Sequence, residues 1–172
     1  LQLAGGAGNF RGYLNISSGE LEIVNSLQAG PVGSGTVTMP GGLLKVNTIV
    51  LSQDRYNPSY VTISGDAEIQ SYYFEVGWPG IGYVTQDGGT ITTNELALTN
   101  ANENSRGEGY YTLNAGTLDA GAVYVGIIKG QFKVTNPTAT INITDGFDIR
   151  PHGPFTVPAN TIIHLKGAKF SC

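Results

Sequence analysis

Cysteine occurs once, at Cys172, so neither an internal disulfide framework nor a cysteine-ligated metal site can form. Charge is scarce as well. Asp, Glu, Lys and Arg make up 13% of the 172 residues, about half of the ~25% usual in folded domains. That excludes a disordered polyelectrolyte and a coiled coil. A positive excess is missing: the net charge of −4 argues against electrostatic binding to nucleic acid or to an anionic membrane surface. No apolar run nears the ~18 residues of a membrane span, so no membrane insertion is expected. The histidines, His152 and His164, have no partners at metal-ligand spacing, and no cofactor is expected. Glycine-rich segments lie in strand–turn–strand order, which excludes a phosphate loop, since that must open a helix. There is no initiator methionine or signal peptide, which predicts a mature or excised piece of a longer product.

What is abundant is glycine, 25 residues, and tyrosine, 9, and both recur at intervals. Segments 13–21, 36–44, 60–67, 83–91, 110–118 and 131–139 share one pattern of alternating residues closed by a small-residue turn. Their turn residues Gly19, Gly42, Gly65, Gly89, Gly116 and Pro137 are spaced 23, 23, 24, 27 and 21 apart. A period of that length is the signature of a repeat architecture.

Each unit resolves into three runs of period-2 alternation, the pattern of half-buried strands. The first run turns Leu14/Ile16, Val37/Met39, Val61/Ile63, Tyr111/Leu113 and Phe132/Val134 to one side. The second does so with Leu21/Ile23, Leu44/Val46, Ala67/Ile69, Leu118/Ala120 and Ala139/Ile141. The third uses Leu27/Ala29, Ile49/Leu51, Phe74/Val76, Leu96/Leu98, Val123/Val125 and Phe147/Ile149. Before the third run stand Asn25, Asn47, Tyr72, Asn94, Gly121 and Asp145, mostly residues that tolerate left-handed angles, so a recurring bend is expected there.

Three short strands per ~23-residue coil, stacked in register, make a parallel β-helix, or β-solenoid. About six and a half coils at the ~4.8 Å strand spacing predict a rod of roughly 30 Å. Glycine and β-branched residues interrupt every candidate helix, so the fold is all-β. An immunoglobulin-like sandwich also has short strands, but its strands do not repeat one pattern at a constant period. Residues 1–10 read as the end of a preceding coil, 11–165 as the repeats, and 166–172 as a tail or cap, all within a single domain. Segment 1–5 matches the third strand around Leu27–Ala29, with no capping helix before it. Phe155 and Thr161 open strands of a further coil. Uncovered solenoid ends expose unpaired edges, so Leu1, Leu3, Ile163, Leu165, Phe170 and Cys172 are candidate assembly residues. Identical subunits or further coils of the same protein would be the partners.

Segments 82–90 (GYVTQDGGT), 109–118 (GYYTLNAGTL) and 123–126 (VYVG) resemble the Gly-rich repeats of bacterial autotransporter passengers and PEP-CTERM-type surface proteins. Those repeats carry units such as V-T-Q-x-G-G-T and end in L-x-V-G. The resemblance covers the fourth and fifth coils well and the others by pattern alone, and Pro40 and Pro137 depart from it. It implies a right-handed, extracellular or cell-surface β-solenoid with a structural, adhesive or scaffold role, and it carries over no catalytic residues. Gln86 stands where alternation calls for an apolar residue, and the resemblance implies a regular turn residue there.

Function would be written on the outward columns, because packing fills the inward ones. The first strand turns Tyr13, Thr36, Tyr60, Tyr83, Tyr110 and Gln131 outward. Such an aromatic stripe is either a platform for sugar rings or ordinary cross-strand stacking. The second strand presents Glu20, Asp66 and Asp119 among threonines, with Glu22, Lys45 and Glu68 alternating in sign as an ion-pair ladder. Paired carboxylates on successive coils would suit a polysaccharide lyase or hydrolase through Asp66, Glu68 and Asp119, though no catalytic residue is assigned. Insertions 31–33, 53–58, 78–80, 100–108, 127–129 and 151–154 all fall after the third strand, on one edge of the rod. There Tyr56, Trp78, Asn102 and Arg106, with the Tyr60/Tyr83/Tyr110 stripe, are candidate contacts for a surface glycan or a protein. Solvated turns with Trp78 packed over the corner are the alternative. Asn15 and Asn142 head N-glycosylation sequons. The leading expectation is a non-catalytic structural solenoid: part of a surface protein, an adhesin stalk or a self-assembling fibre.

Overall fold

The computed structural model describes residues 1–4, 11–99, 107–126, 129–149, 155–156, 159, 163–165 and 169–171. These form fourteen strands and no helix. In order they are β1 (Gln2–Leu3), β2 (Arg11–Asn15), β3 (Glu20–Ala29), β4 (Ser34–Met39), β5 (Leu43–Leu51), β6 (Ser59–Ile63) and β7 (Glu68–Val76). There follow β8 (Ile81–Leu98), β9 (Glu108–Val125), β10 (Gly130–Val134), β11 (Thr140–Ile149), β12 (Phe155–Thr156), β13 (Ile163–Leu165) and β14 (Lys169–Ser171). Every pairing is parallel and joins one coil to the next, so the chain is a β-solenoid.

Parallel in-register stacking places each inward side chain on its counterpart one coil away. The third-strand ladder Leu27–Ile49–Phe74–Leu96–Val123–Phe147 runs unbroken through the middle of the rod and is buried throughout. The first-strand ladder Val37–Val61–Val84–Tyr111–Phe132 does the same. Toward the C-terminal coils aromatic rings take over, with Tyr111 and Phe132 stacked at 5.1 Å and 7°. Full burial of each such side chain stabilises by about 1.5–3 kcal/mol. The first-strand and third-strand ladders therefore follow the alternation of the sequence.

The second strand departs from it in two coils. The expected partners were Leu44 with Ala67 and Leu118 with Ala139, but Leu44 pairs with Ile69 and Leu118 with Ile141, a slip of two residues. The cause is turn length. Four residue steps lead from Met39 to Leu43 around the first corner, whereas five lead from Ile63 to Glu68 and six from Val134 to Thr140. Ala67 and Ala139 still point inward and are buried, but at the corner rather than in the strand. The slip also redraws the outward columns. Lys45 stands beside Gln70 instead of Glu68, and its ion pair is with Glu20, at 2.7 Å, so the expected Glu22–Lys45–Glu68 ladder does not form.

Both corners flanking the first strand are built on left-handed residues. At the first, Gly19, Gly42, Gly65, Gly89 and Gly116 all have φ between 61° and 91°. A Cβ on Gly116 would lie 2.3 Å from the Gly89 carbonyl oxygen, so stacking as well as backbone angle demands glycine. At the corner after the third strand the column is Ala4, Gly30, Ser52, Gly77 and Thr99, with φ from 58° to 77°. The expected left-handed bend before the third strand is absent. Asn25, Asn47 and Asn94 keep negative φ; the ladder skips one pair at Asn47 and Asn94 without losing register, and the register shifts by one residue between Ile23 and Ser26.

Gln86 lies inside strand β8 and is fully buried, not in a turn. Its Nε2 donates to the carbonyls of Gly89 at 3.1 Å and Thr117 at 2.9 Å, while its Oε1 accepts from the Tyr111 hydroxyl at 2.5 Å. The amide thus ties the first corner to the core of the next coil. Burial pushes the Tyr111 phenol far above its ordinary value.

The N-terminal strand β1 pairs Gln2 with Gln28 and Leu3 with Ala29, as the match between the segments predicts. At the other end β12 and β13 pair with β10 and β11 in a further coil. Segment 166–172 contributes β14, whose Phe170 pairs with Phe147, so this part of the expected tail is the third strand of that coil.

Two predictions follow from the corners and the buried amide. Gly19→Ala, where a Cβ meets nothing within 4 Å, should cost about 1–2 kcal/mol for the left-handed angle alone. Gly116→Ala, which must also displace backbone, should cost roughly 3–5 kcal/mol in urea unfolding. In a double-mutant cycle Tyr111→Phe should destabilise by about 1–3 kcal/mol by orphaning Gln86 Oε1. Gln86→Leu should cost more, and the double variant less than the sum of the two.

Candidate functional site

The outward face of the first strand carries the most ordered array of chemistry-bearing side chains. Register places Tyr13, Thr36, Tyr60, Tyr83, Tyr110 and Gln131 in one column. Tyr60 stacks on Tyr83 at 5.3 Å and 11°, and Tyr83 on Tyr110 at 4.9 Å and 10°. Such pairs add about 0.5–1.5 kcal/mol beyond burial. Stacking turns the flat faces of these rings toward one another. The stripe is therefore not an open platform; only its edges and end faces are offered outward.

The upper end of the ladder is clamped. The Tyr110 hydroxyl donates to Glu108 Oε2 at 2.8 Å, and Lys129 Nζ donates to Glu108 Oε1. Burial, then the bond to the Glu108 carboxylate, push the Tyr110 phenol up to about 12. The same two bonds, with that to Lys129 the larger, hold Glu108 below the usual carboxylate range. The lower end is different. Thr36 interrupts the column, and Tyr13 beyond it is 69% exposed and stacks on no described ring.

On the loop edge, Tyr56 is 89% exposed in the 53–58 turn. Asp54 accepts from the Tyr56 amide and from Asn57 Nδ2, both at 2.9 Å, and these bonds lower its pKa. Ser52, buried and left-handed, donates to the carbonyls of Asp54 and Asn57 and accepts from the Ile81 amide at 3.1 Å. Sequence reasoning gave Ser52 no role, because a serine after a strand looks like an ordinary loop residue. Trp78 is half-buried at the same corner one coil on, followed by a cis peptide to Pro79. Asn102 and Arg106 lie outside the described residues, as does Cys172; Tyr56 and Trp78 are the members of that group described at this edge. His152 also lies outside them, and His164 is exposed.

The acidic residues considered for catalysis are not brought together. Asp66 is exposed in the first corner, and Glu68 accepts from Gln70 at 2.6 Å. Asp119 stands two coils further on, beyond Thr90 and Thr92, and accepts from Asn142 Nδ2 at 2.6 Å. That bond also engages the amide of one sequon, while Asn15, of the other, is exposed. The third strand adds a feature the sequence reading missed. Tyr72 and Tyr73 meet edge-to-face at 4.6 Å on the surface, close to Glu75 on the same strand and to Glu95, the register partner of Tyr73 on β8. Glu75 is raised by burial first and by Glu95 second. Two consecutive tyrosines, at a place where no other described coil carries an aromatic residue, were the available signal.

The fold defines the class, a parallel β-solenoid with in-register side-chain ladders. No protein-family profile, curated protein or solved structure matches the chain.

Because folding raises the Tyr110 pKa, protonated Tyr110 contributes stability below pH ~10 that is lost as pH rises toward 12. Alkaline titration followed at the tyrosinate absorbance should show Tyr110 ionising about two units later than an exposed tyrosine. Glu108→Gln should move it back toward the ordinary value.

Proposed function

We propose that this chain is a non-catalytic structural β-solenoid, a segment or subunit of an extracellular surface protein, an adhesin stalk or a self-assembling fibre. The observation that carries this reading is where the outward polar groups spend their bonds. Gln2 donates to Gln28 at 2.7 Å, Asn114 to Asp87 at 2.6 Å and Asn142 to Asp119 at 2.6 Å, each to the coil beside its own. Lys45–Glu20, Lys129–Glu108 and the tyrosine ladder likewise link adjacent coils. Surface chemistry directed along the axis reinforces inward ladders that already run along it. The product is a stiff rod that proteases cannot locally open.

Edge strands at either end supply the means of extension. Among the described strands, β1 pairs only with β3, and β12, β13 and β14 each pair on one side. Backbone groups on the open sides are templates for further coils, whether of the same protein or of an identical subunit. Leu3 at the base of the core, and Ile163 and Leu165 at the other end, would be covered by such stacking.

Electron microscopy of the purified chain, with its mass in solution, tests the self-assembling form. Rods much longer than ~30 Å, built on a repeat of six to seven coils at ~4.8 Å each, are expected. Monodisperse particles near 18.1 kDa would exclude it.

A further inference from the structure

The tyrosine ladder has a missing rung. Thr36 occupies the place between Tyr13 and Tyr60, so these two tyrosines stand two coils apart on the same outward column. Two strand spacings are about 9.6 Å, and higher on the column that interval holds one ring, Tyr83, at 5.3 Å and 4.9 Å from its neighbours. The gap at Thr36 holds none. It is a cleft of about 400 Å³ with Thr36 as its floor, and the lower face of Tyr60 is left without the stacking partner that its upper face has.

The rim is polar and carries a single charge. Arg11 lies on the outward side of β2, two residues before Tyr13, and is exposed. Among the described residues it makes no ion pair; the two pairs present are Lys45–Glu20 and Lys129–Glu108. Asn57 closes the opposite rim. Its Nδ2 is committed to Asp54 at 2.9 Å, which orients the amide and leaves Oδ1 to accept. Ser34 spends its hydroxyl hydrogen on the Pro58 carbonyl at 2.5 Å, which fixes the wall between the two coils.

We propose that this cleft binds one pyranose ring of an acidic glycan, a uronic acid residue, held between Tyr13 and Tyr60. A slot two strand spacings tall, with the free face of Tyr60 on one side and Tyr13 on the other, suits the axial C–H groups of a sugar, which pack on an electron-rich π surface. Hydroxyl groups around the ring find Thr36 below and Asn57 at the rim, while Arg11 meets the carboxylate in a charge-assisted, bidentate geometry. The site does not use the stacked faces of Tyr83 and Tyr110, nor the turn that carries Trp78. It does not depend on self-assembly, which the rod length measures separately.

Calorimetric titration of trigalacturonic acid and of neutral galactotriose into the whole chain tests the assignment. The acid should bind at least tenfold more tightly than the neutral sugar, and Arg11→Gln should bring it down to the neutral level. Thr36→Tyr completes the ladder and fills the slot, so binding should be lost while the thermal midpoint holds or rises. Tyr13→Ala, at an exposed position, should weaken binding at least tenfold without lowering the midpoint. The proposal is overturned by no binding of trigalacturonic acid, or by equal affinity for the two sugars. It is equally overturned if binding persists in either Thr36→Tyr or Tyr13→Ala.

Discussion

Everything in this molecule follows from one constraint: each coil must lie on its neighbour at the spacing of a parallel β-ladder, in register. At ~4.8 Å a side chain has one neighbour above and one below, and they are the residues of the same column. Apolar columns become the core, as from Leu27 to Phe147. Corner columns become lines of left-handed residues, and within the first of them stacking leaves no room for a Cβ at Gly89 and Gly116. Outward columns become ladders of like or complementary groups. A residue that breaks its column must either find new partners or leave a gap.

Gln86 and Thr36 are those two cases. Gln86 sits in an apolar column, and its amide remains tolerable because three partners satisfy it: Gly89, Thr117 and the Tyr111 hydroxyl. An unsatisfied amide there would cost several kcal/mol, so the buried polar cluster is specific about which coil follows which. Thr36 sits in an aromatic column and leaves a vacancy on the surface. One interruption is absorbed into the core, and the other opens a recess where the rest of the face is closed by stacking.

Much of the architecture was legible because the repeat is strict where packing is strict. The third-strand pairs and the glycines of the first corner were placed correctly from spacing alone, as were the outward tyrosines. The second strand was slipped in the third and sixth coils, because alternation is unchanged by a shift of two residues. Only the closure of the corner shows that one has five steps and another six. The Glu22–Lys45–Glu68 ladder failed for the same reason, and with it any grouping of Asp66, Glu68 and Asp119.

By itself the sequence determined the period, the number of strands per coil, the inward columns of the first and third strands, and the glycine corner. These depend on residue type at fixed spacing, which stacking converts directly into neighbours. Tertiary structure alone decided which faces of the tyrosines remain open, where Lys45 and Asp119 find their partners, and that Ser52 and Thr99 adopt the angles otherwise given to glycine. Those outcomes depend on ring planes, corner lengths and the closeness of one backbone to the next. None of these is a property of any residue until a second coil lies upon the first.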